Sequence, residues 1–343
     1  MNRRLKVMLC LNGERNSNKA AMDRDLVAMR YALESAGIDY TFNPKDNYDI
    51  VHLLSSEQYK AFKSIKKTKL GNPSAPVILQ AFCDYNDFSS GKEDEKNESL
   101  HLLPRLKKEV YKYYKDVDEV MVFWPTQKTI LKHYNVENKI SVIKPGTKDY
   151  FEGDYSSYEK QAFLKYYGLK EDSKIVVSYG EYSYEKGFDI LESIARLFPN
   201  YEFFFFGGRK GILSNSSHFE KTNKIANLHY EGDLPTELYH SMIFNASCLL
   251  LTNSFHIDST IIIEFMKQGI PVISSKNPFL FDVLIKDKNA WLVKELEEYY
   301  QVLKNIEKDN FVINAKEFAS TYSIKEYGES LLKEYKVLLK IEE

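Results

Sequence analysis

The chemically richest short run in this chain is His256-Ile-Asp-Ser-Thr-Ile-Ile-Ile-Glu264, with a histidine and a carboxylate eight positions apart. Asp258 or Ser259 can cap a helix that begins here. The backbone amides of Ser259 and Thr260, in its first turn, suit an anion such as a diphosphate. Glu264 follows a turn or so later among Ile261, Ile262, Ile263, Phe265 and Met266. A carboxylate in apolar company needs hydrogen-bond partners. Sugar hydroxyls, such as those of a ribose, are one candidate set; bulk solvent on an outer helix face is the other. His256 can hydrogen-bond a sugar hydroxyl or be a spare loop histidine, but it cannot supply a carboxylate's fixed negative charge.

A second run, Ser178-Tyr-Gly-Glu-Tyr-Ser-Tyr-Glu-Lys-Gly-Phe-Asp189, reads as a strand ending at Gly180, a loop, and a helix opened by Lys186-Gly187. That layout can bring an ammonium and a helix N-terminus to one phosphate; a solvated loop lysine is the alternative. The next strand-like run, Tyr-Glu-Phe-Phe-Phe-Phe, ends in Gly207-Gly208 with Arg209 beside them. Glycines at two strand ends let a ligand approach the backbone. Arg209 is either a further phosphate partner or a surface arginine.

These residues need a scaffold, and the hydrophobic pattern supplies one. Short apolar runs at 4–11, 48–54, 76–82, 119–124 and 139–146 are of the parallel-strand type, with helical stretches between them. Residues 150–172 are rich in tyrosine and charge and reset the pattern. A second series follows: strands at 173–180, 201–208, 226–232, 246–253, 271–275 and 290–293, and helices at 187–197, 235–244 and 259–268. A last helix is expected near 323–341. The expected fold class is α/β, with two Rossmann-like domains facing across a cleft. Ligands in such sheets bind beyond the carboxyl ends of the strands, which is where both runs lie.

Composition narrows the function. At 343 residues and 43% hydrophobic content, the chain is long enough for two cores and too apolar for general disorder. No apolar run approaches the roughly 20 residues of a transmembrane helix, and the N-terminus reads as a first strand rather than a signal peptide. Cys10, Cys83 and Cys248 are scattered and read as buried thiols of a cytoplasmic protein. Residues 1–150 carry 25 Lys and Arg against 20 Asp and Glu, and the remainder 22 against 29. The first half is therefore suited to an anionic partner. The excess is too small for a nucleic-acid binder, and no nucleic-acid motif is present. No metal-ligand spacing, GxSxG elbow or Walker loop occurs.

The anionic partner could be a membrane. In residues 99–117 a helix after Pro104 would carry Leu106, Val110, Tyr113 and Tyr114 roughly along one side. Lys107, Lys108, Lys112 and Lys115 would lie mostly elsewhere, and residues 59–71 add five lysines. This is either an interfacial amphipathic helix or a core helix with a wet basic face.

Together the motifs resemble the retaining glycosyltransferases of GT-B fold, family 4. The carriers are the segment from Gly180 to Gly187, the strand end at Gly207, and the 256–264 run followed by Gly269-Ile-Pro-Val272. Residues 163–191 look most like the bacterial enzymes that extend glucosyl-diacylglycerol to a dihexosyl lipid. The resemblance implies a hexosyltransferase that takes its sugar from a UDP-sugar and needs no metal or other cofactor. Residues 1–150 would form the acceptor domain and 151–322 the nucleotide-sugar domain, with a 323–343 helix crossing back to the first. Lys186, with Arg209, would neutralise the diphosphate, Ser259 and Thr260 would bind its oxygens, and Glu264 the ribose. His256 stands where the family has a glutamate, beside the anomeric centre. The implied partners are a glycolipid acceptor or anionic membrane surface at the inner face of the plasma membrane. The family's arginine after Gly180 is Glu181 here. Its N-terminal glycine loop is Ala20-Ala-Met-Asp-Arg24, and its histidine in 79–87 is absent, with Gln80 and Phe82 present. These departures keep a second reading open: a GT-B scaffold that binds without turnover and partners an active transferase.

Overall fold

In the computed structural model, residues 4–10, 19–66, 72–82, 87–92, 103–147, 156–180, 187–207, 225–232, 234–252, 258–306 and 311–341 are described. The chain divides into two compact units, residues 1–148 with 322–343, and residues 149–321.

The first unit is built on a parallel six-stranded sheet. In chain order its elements are β1 (Lys6–Leu9), α1 (Lys19–Ser35), β2 (Asp39–Thr41), β3 (Ile50–Leu53), α2 (Ser56–Lys66), β4 (Val77–Gln80), β5 (Phe88–Lys92), β6 (Pro104–Leu106), α3 (Lys108–Asp116), β7 (Glu119–Val122), α4 (Pro125–His133) and β8 (Lys139–Val142). The sheet order is β2-β1-β3-β4-β7-β8, and β5 and β6 form a separate antiparallel pair. Strands β3, β4 and β7 are buried throughout, as expected of inner strands covered on both faces. One expectation changes here. Residues 104–106 are strand rather than helix, and the helix begins only at Lys108. Proline lacks an amide donor and suits an edge strand, while the Lys107 amide donates to the Asp87 carbonyl at 2.9 Å.

The second unit repeats the plan. It runs α5 (Ser157–Tyr167), β9 (Lys174–Tyr179), α6 (Phe188–Leu197), β10 (Tyr201–Phe206), β11 (Leu228–Glu231), α7 (Thr236–Asn245), β12 (Ala246–Leu251), α8 (Ser259–Lys267), β13 (Val272–Ser275), β14 (Trp291–Val293), α9 (Leu296–Asn305) and α10 (Phe311–Ser320). All its strand pairs are parallel, in the order β11-β10-β9-β12-β13-β14. The four consecutive phenylalanines of β10 serve both faces. Phe203 and Phe205 join the core under α6, while Phe204 meets Phe163 of α5 edge to face at 4.9 Å. Helix α6 buries Phe188, Leu191, Ile194 and Ala195, one stripe at helical spacing; each large side chain contributes about 1.5–3 kcal/mol.

From Tyr322 the chain rejoins the first unit and ends in α11 (Ile324–Leu339). α11 lies so close on α1 that a Cβ on Gly328 would stand 2.2 Å from the Ala32 carbonyl oxygen. Beneath α11 the sheet surface is polar. His52 of β3 is hydrogen-bonded through Nδ1 to the Tyr335 hydroxyl at 2.6 Å. Lys139 lies 2.9 Å from the fully buried Glu119 carboxylate and also pairs with Glu334 of α11.

Candidate functional site

The strand order of the second unit defines its crevice. From β9 the chain winds outward through β10 to β11, then returns to the other side of β9 with β12 and continues to β13 and β14. The order therefore reverses between β9 and β12, and the carboxyl ends of these strands flank the switch point where doubly wound sheets bind ligands. Gly180 follows β9, Thr252 follows β12, and α6 and α8 begin at this edge.

Glycine is required at this edge for backbone reasons as well. Gly207 has φ +152°, and a Cβ there would lie 1.8 Å from the Gly180 carbonyl oxygen. The Gly180 amide donates to the Phe206 carbonyl at 3.1 Å, so the two strand ends are drawn together past β10. Gly187 has φ +87° at the start of α6, a left-handed conformation that favours glycine.

At α8 the capping residue is Asp258. Its carboxylate accepts from the Thr260 amide at 3.1 Å, the Ile261 amide at 3.3 Å and the Thr260 hydroxyl at 2.7 Å. Charge and helix dipole agree here, since a carboxylate at an N-terminus is stabilising. The amide of Thr260 thus already has an acceptor. Ser259, Thr260 and Glu264 are all buried, along with the apolar residues between them. Glu264 is only 4% exposed, which removes the solvated alternative. It accepts a hydrogen bond from the hydroxyl of Tyr239, itself 6% exposed on α7. The burial of Glu264 is legible as a demand for a partner, but Tyr239 stands 25 residues earlier on another helix, and nothing local marks it.

Lys186, Arg209 and His256 lie outside the described residues, as does Cys83. Among the described residues no group of three or more His, Cys, Asp and Glu side chains could hold a metal ion. Cys10 and Cys248 are buried free thiols, and burial pushes the Cys10 thiol up to about 11. Burial raises Cys248 further still. Both therefore stay protonated and unreactive at neutral pH.

In the first unit, β4 ends unusually. Gln80 is 1% exposed, and neither its side-chain oxygen nor its nitrogen has a hydrogen-bond partner. Two residues on, Phe82 adopts φ +62°, a strained region for a non-glycine residue. The buried Asp87 accepts from the Ser56 hydroxyl and, at 3.3 Å, from the Tyr114 hydroxyl. In α3 the buried residues are Val110 and Tyr114, and Tyr113 packs on Tyr59 with ring centroids 5.0 Å apart. The apolar side of this helix is thus used in packing. Lys108, Lys112 and Lys115 are exposed, and Lys107 is half-buried. No helix of the described residues is long and apolar enough to cross a membrane.

Comparison with known proteins fits this architecture. Residues 159–323 match the family described as glycosyl transferases group 1. Over 347 aligned residues the chain is 22% identical to a processive diacylglycerol alpha-glucosyltransferase of Acholeplasma laidlawii, covering 98% of this chain and 99% of that protein. Among solved structures it resembles sucrose-phosphate synthase of Thermosynechococcus elongatus, with a TM-score of 0.70 at 14% identity, covering 99% of this chain and 100% of that one. It also resembles the Anabaena protein HepE in complex with UDP-glucose, with a TM-score of 0.67 at 12% identity, covering 97% and 100%. The chain is a protein of GT-B fold, glycosyltransferase-like, and its second unit carries the group 1 match.

Proposed function

We propose that this protein is a retaining hexosyltransferase that moves a hexose from a UDP-sugar to a membrane glycolipid such as glucosyl-diacylglycerol. The observation that carries the reading is the coincidence of two independent results. The group 1 match spans residues 159–323, and that segment contains the β9/β12 switch point with Gly180, Gly207 and the start of α8. The UDP-glucose complex of the fold relative HepE supports a nucleotide-sugar donor, and the name of the Acholeplasma relative supports a diacylglycerol-linked acceptor.

In this reading the second unit holds the donor. Lys186 and Arg209 screen the diphosphate, the first turn of α8 faces its oxygens, and Glu264 accepts from the ribose. The bond between the anomeric carbon and the diphosphate oxygen breaks. The acceptor hydroxyl bonds to that carbon on the same face, and its proton passes to the departing diphosphate. The protein positions the reactants and stabilises developing charge. The first unit takes the acceptor, and Lys107, Lys108, Lys112 and Lys115 draw it to an anionic surface.

Radiolabelled UDP-glucose and UDP-galactose, incubated with glucosyl-diacylglycerol liposomes, test the proposal. A labelled lipid carrying one more hexose is expected. Absence of both lipid product and slow donor hydrolysis would count against turnover. A second reading, binding without turnover, is favoured by the occupation of α8 by Asp258 and by the unpartnered Gln80. Calorimetry separates the two: micromolar UDP binding supports the enzyme, and no binding together with a stable heteromer on pull-down supports the scaffold.

A further inference from the structure

The Tyr239–Glu264 pair lies in an unusual place. Helices α7 and α8 follow the carboxyl ends of β11 and β12, so both begin at the edge where the switch point opens. Tyr239 is the fourth residue of α7 and Glu264 the sixth of α8. At 1.5 Å per residue they sit roughly 5 and 8 Å below that edge. Every other residue of α8 from Ser259 to Met266 is also buried, and five of them are Ile, Phe or Met. A carboxylate and a phenol facing each other in such a layer cost more than two aliphatic side chains filling the same space. A phenol hydroxyl on one carboxylate oxygen also removes the carboxylate's rotational freedom, which is how a recognition group is pre-set for a ligand.

We infer that Tyr239 is a positioning residue for nucleotide recognition: its hydroxyl holds one oxygen of Glu264 so that the carboxylate plane is fixed for a vicinal diol. The inference rests on the reading of Glu264 as the ribose-binding carboxylate, and it adds a residue that touches no ligand itself. A fixed carboxylate separates a ribonucleotide from its dideoxy analogue more sharply than a rotating one, because unpaired buried polar groups are costly.

The test is calorimetric titration of UDP and 2′,3′-dideoxy-UDP into the wild-type protein and into Glu264→Gln and Tyr239→Phe. Wild type is expected to prefer UDP about tenfold or more, Glu264→Gln to lose that preference, and Tyr239→Phe to lose most of it while dideoxy-UDP affinity holds. Because the readout is a ratio on one sample, a partly unfolded fraction cancels. If wild type does not distinguish the two nucleotides, the Glu264 reading fails and the inference falls with it. If wild type and Glu264→Gln behave as expected but Tyr239→Phe keeps the full ratio, Tyr239 only packs, and this inference alone is overturned. Should Tyr239→Phe not fold, Tyr239→Leu removes the same hydroxyl while leaving Glu264 intact and an apolar side chain in the layer. A ratio at the Glu264→Gln level then supports the inference, and an intact ratio overturns it.

Discussion

Asp258 holds the start of α8 in a way that, under the proposed function, would set stability against ligand binding. Its carboxylate takes two first-turn amides, and an N-cap of this kind contributes about 1 kcal/mol. A diphosphate seeking the same amides would meet that negative charge. Asp258→Ala is therefore expected to lower the urea unfolding free energy by about 1 kcal/mol while tightening UDP binding in calorimetry. If affinity is unchanged, the first turn of α8 does not take the diphosphate. Gln80 presents the opposite case, a buried group that contributes nothing visible to the fold. Its amide has no partner on either atom, and each such buried polar atom costs about 1–3 kcal/mol. Gln80→Leu should raise the denaturation midpoint by an amount equivalent to about 1 kcal/mol or more. A fall instead would mean that the amide is satisfied in solution.

The interface of α11 with its own unit is polar where a core is ordinarily apolar, and that makes it sensitive to pH. His52 is fully buried and paired with Tyr335, and burial lowers it to about 3. The unfolded chain protonates this histidine near its ordinary value of about 6.5. Between these two values the unfolded state binds more protons, so stability is complete above about 6.5 and declines as pH falls toward 3. The slope from this one site reaches about 1.4 kcal/mol per pH unit. Glu119, Glu334, Lys139 and Tyr335 face the same interface, and they are common to both proteins in a comparison of wild type with His52→Leu. Urea denaturation from pH 6.5 to 4 should show a steeper loss in wild type by up to one proton; equal slopes would place His52 in contact with water. The elements that make this interface differ in how visible they are in sequence. The paired α/β series and a last helix near 323–341 follow from apolar runs of fixed length. The short β2 and the β5–β6 pair do not, because their backbone partners are distant residues rather than a local period. Helix α5 is an addition to the expected elements: residues 150–172 present themselves in sequence as a break in the pattern, and the local signature inside them is the capping box of Ser156 and Glu159.

For the whole molecule, the sequence marks the strand ends and helix starts of the second unit more readily than any acceptor-binding surface, for a physical reason. Phosphate recognition reuses strand ends, glycines and helix starts, which leave fixed spacings, whereas acceptor recognition rests on side chains scattered through loops. The exception is the basic face of α3, where charge is legible but its use is not. The structure narrows that use. Val110 and Tyr114 are buried in the first unit and Tyr113 packs on Tyr59, so α3 has no spare apolar stripe to insert into a bilayer. Any attraction to a membrane through this helix is electrostatic. Lys108, Lys112 and Lys115 are exposed, and each basic residue near an anionic surface contributes about 1 kcal/mol. Replacing all three by glutamate should leave the thermal midpoint nearly unchanged, since none is in the core. Sedimentation with vesicles containing anionic lipid should fall by about a hundredfold or more in partition coefficient at low salt, with the wild-type value itself dropping steeply as salt is added. Partition that survives the charge reversal, or that is indifferent to salt, would locate the membrane contact on another surface and return α3 to a purely structural role.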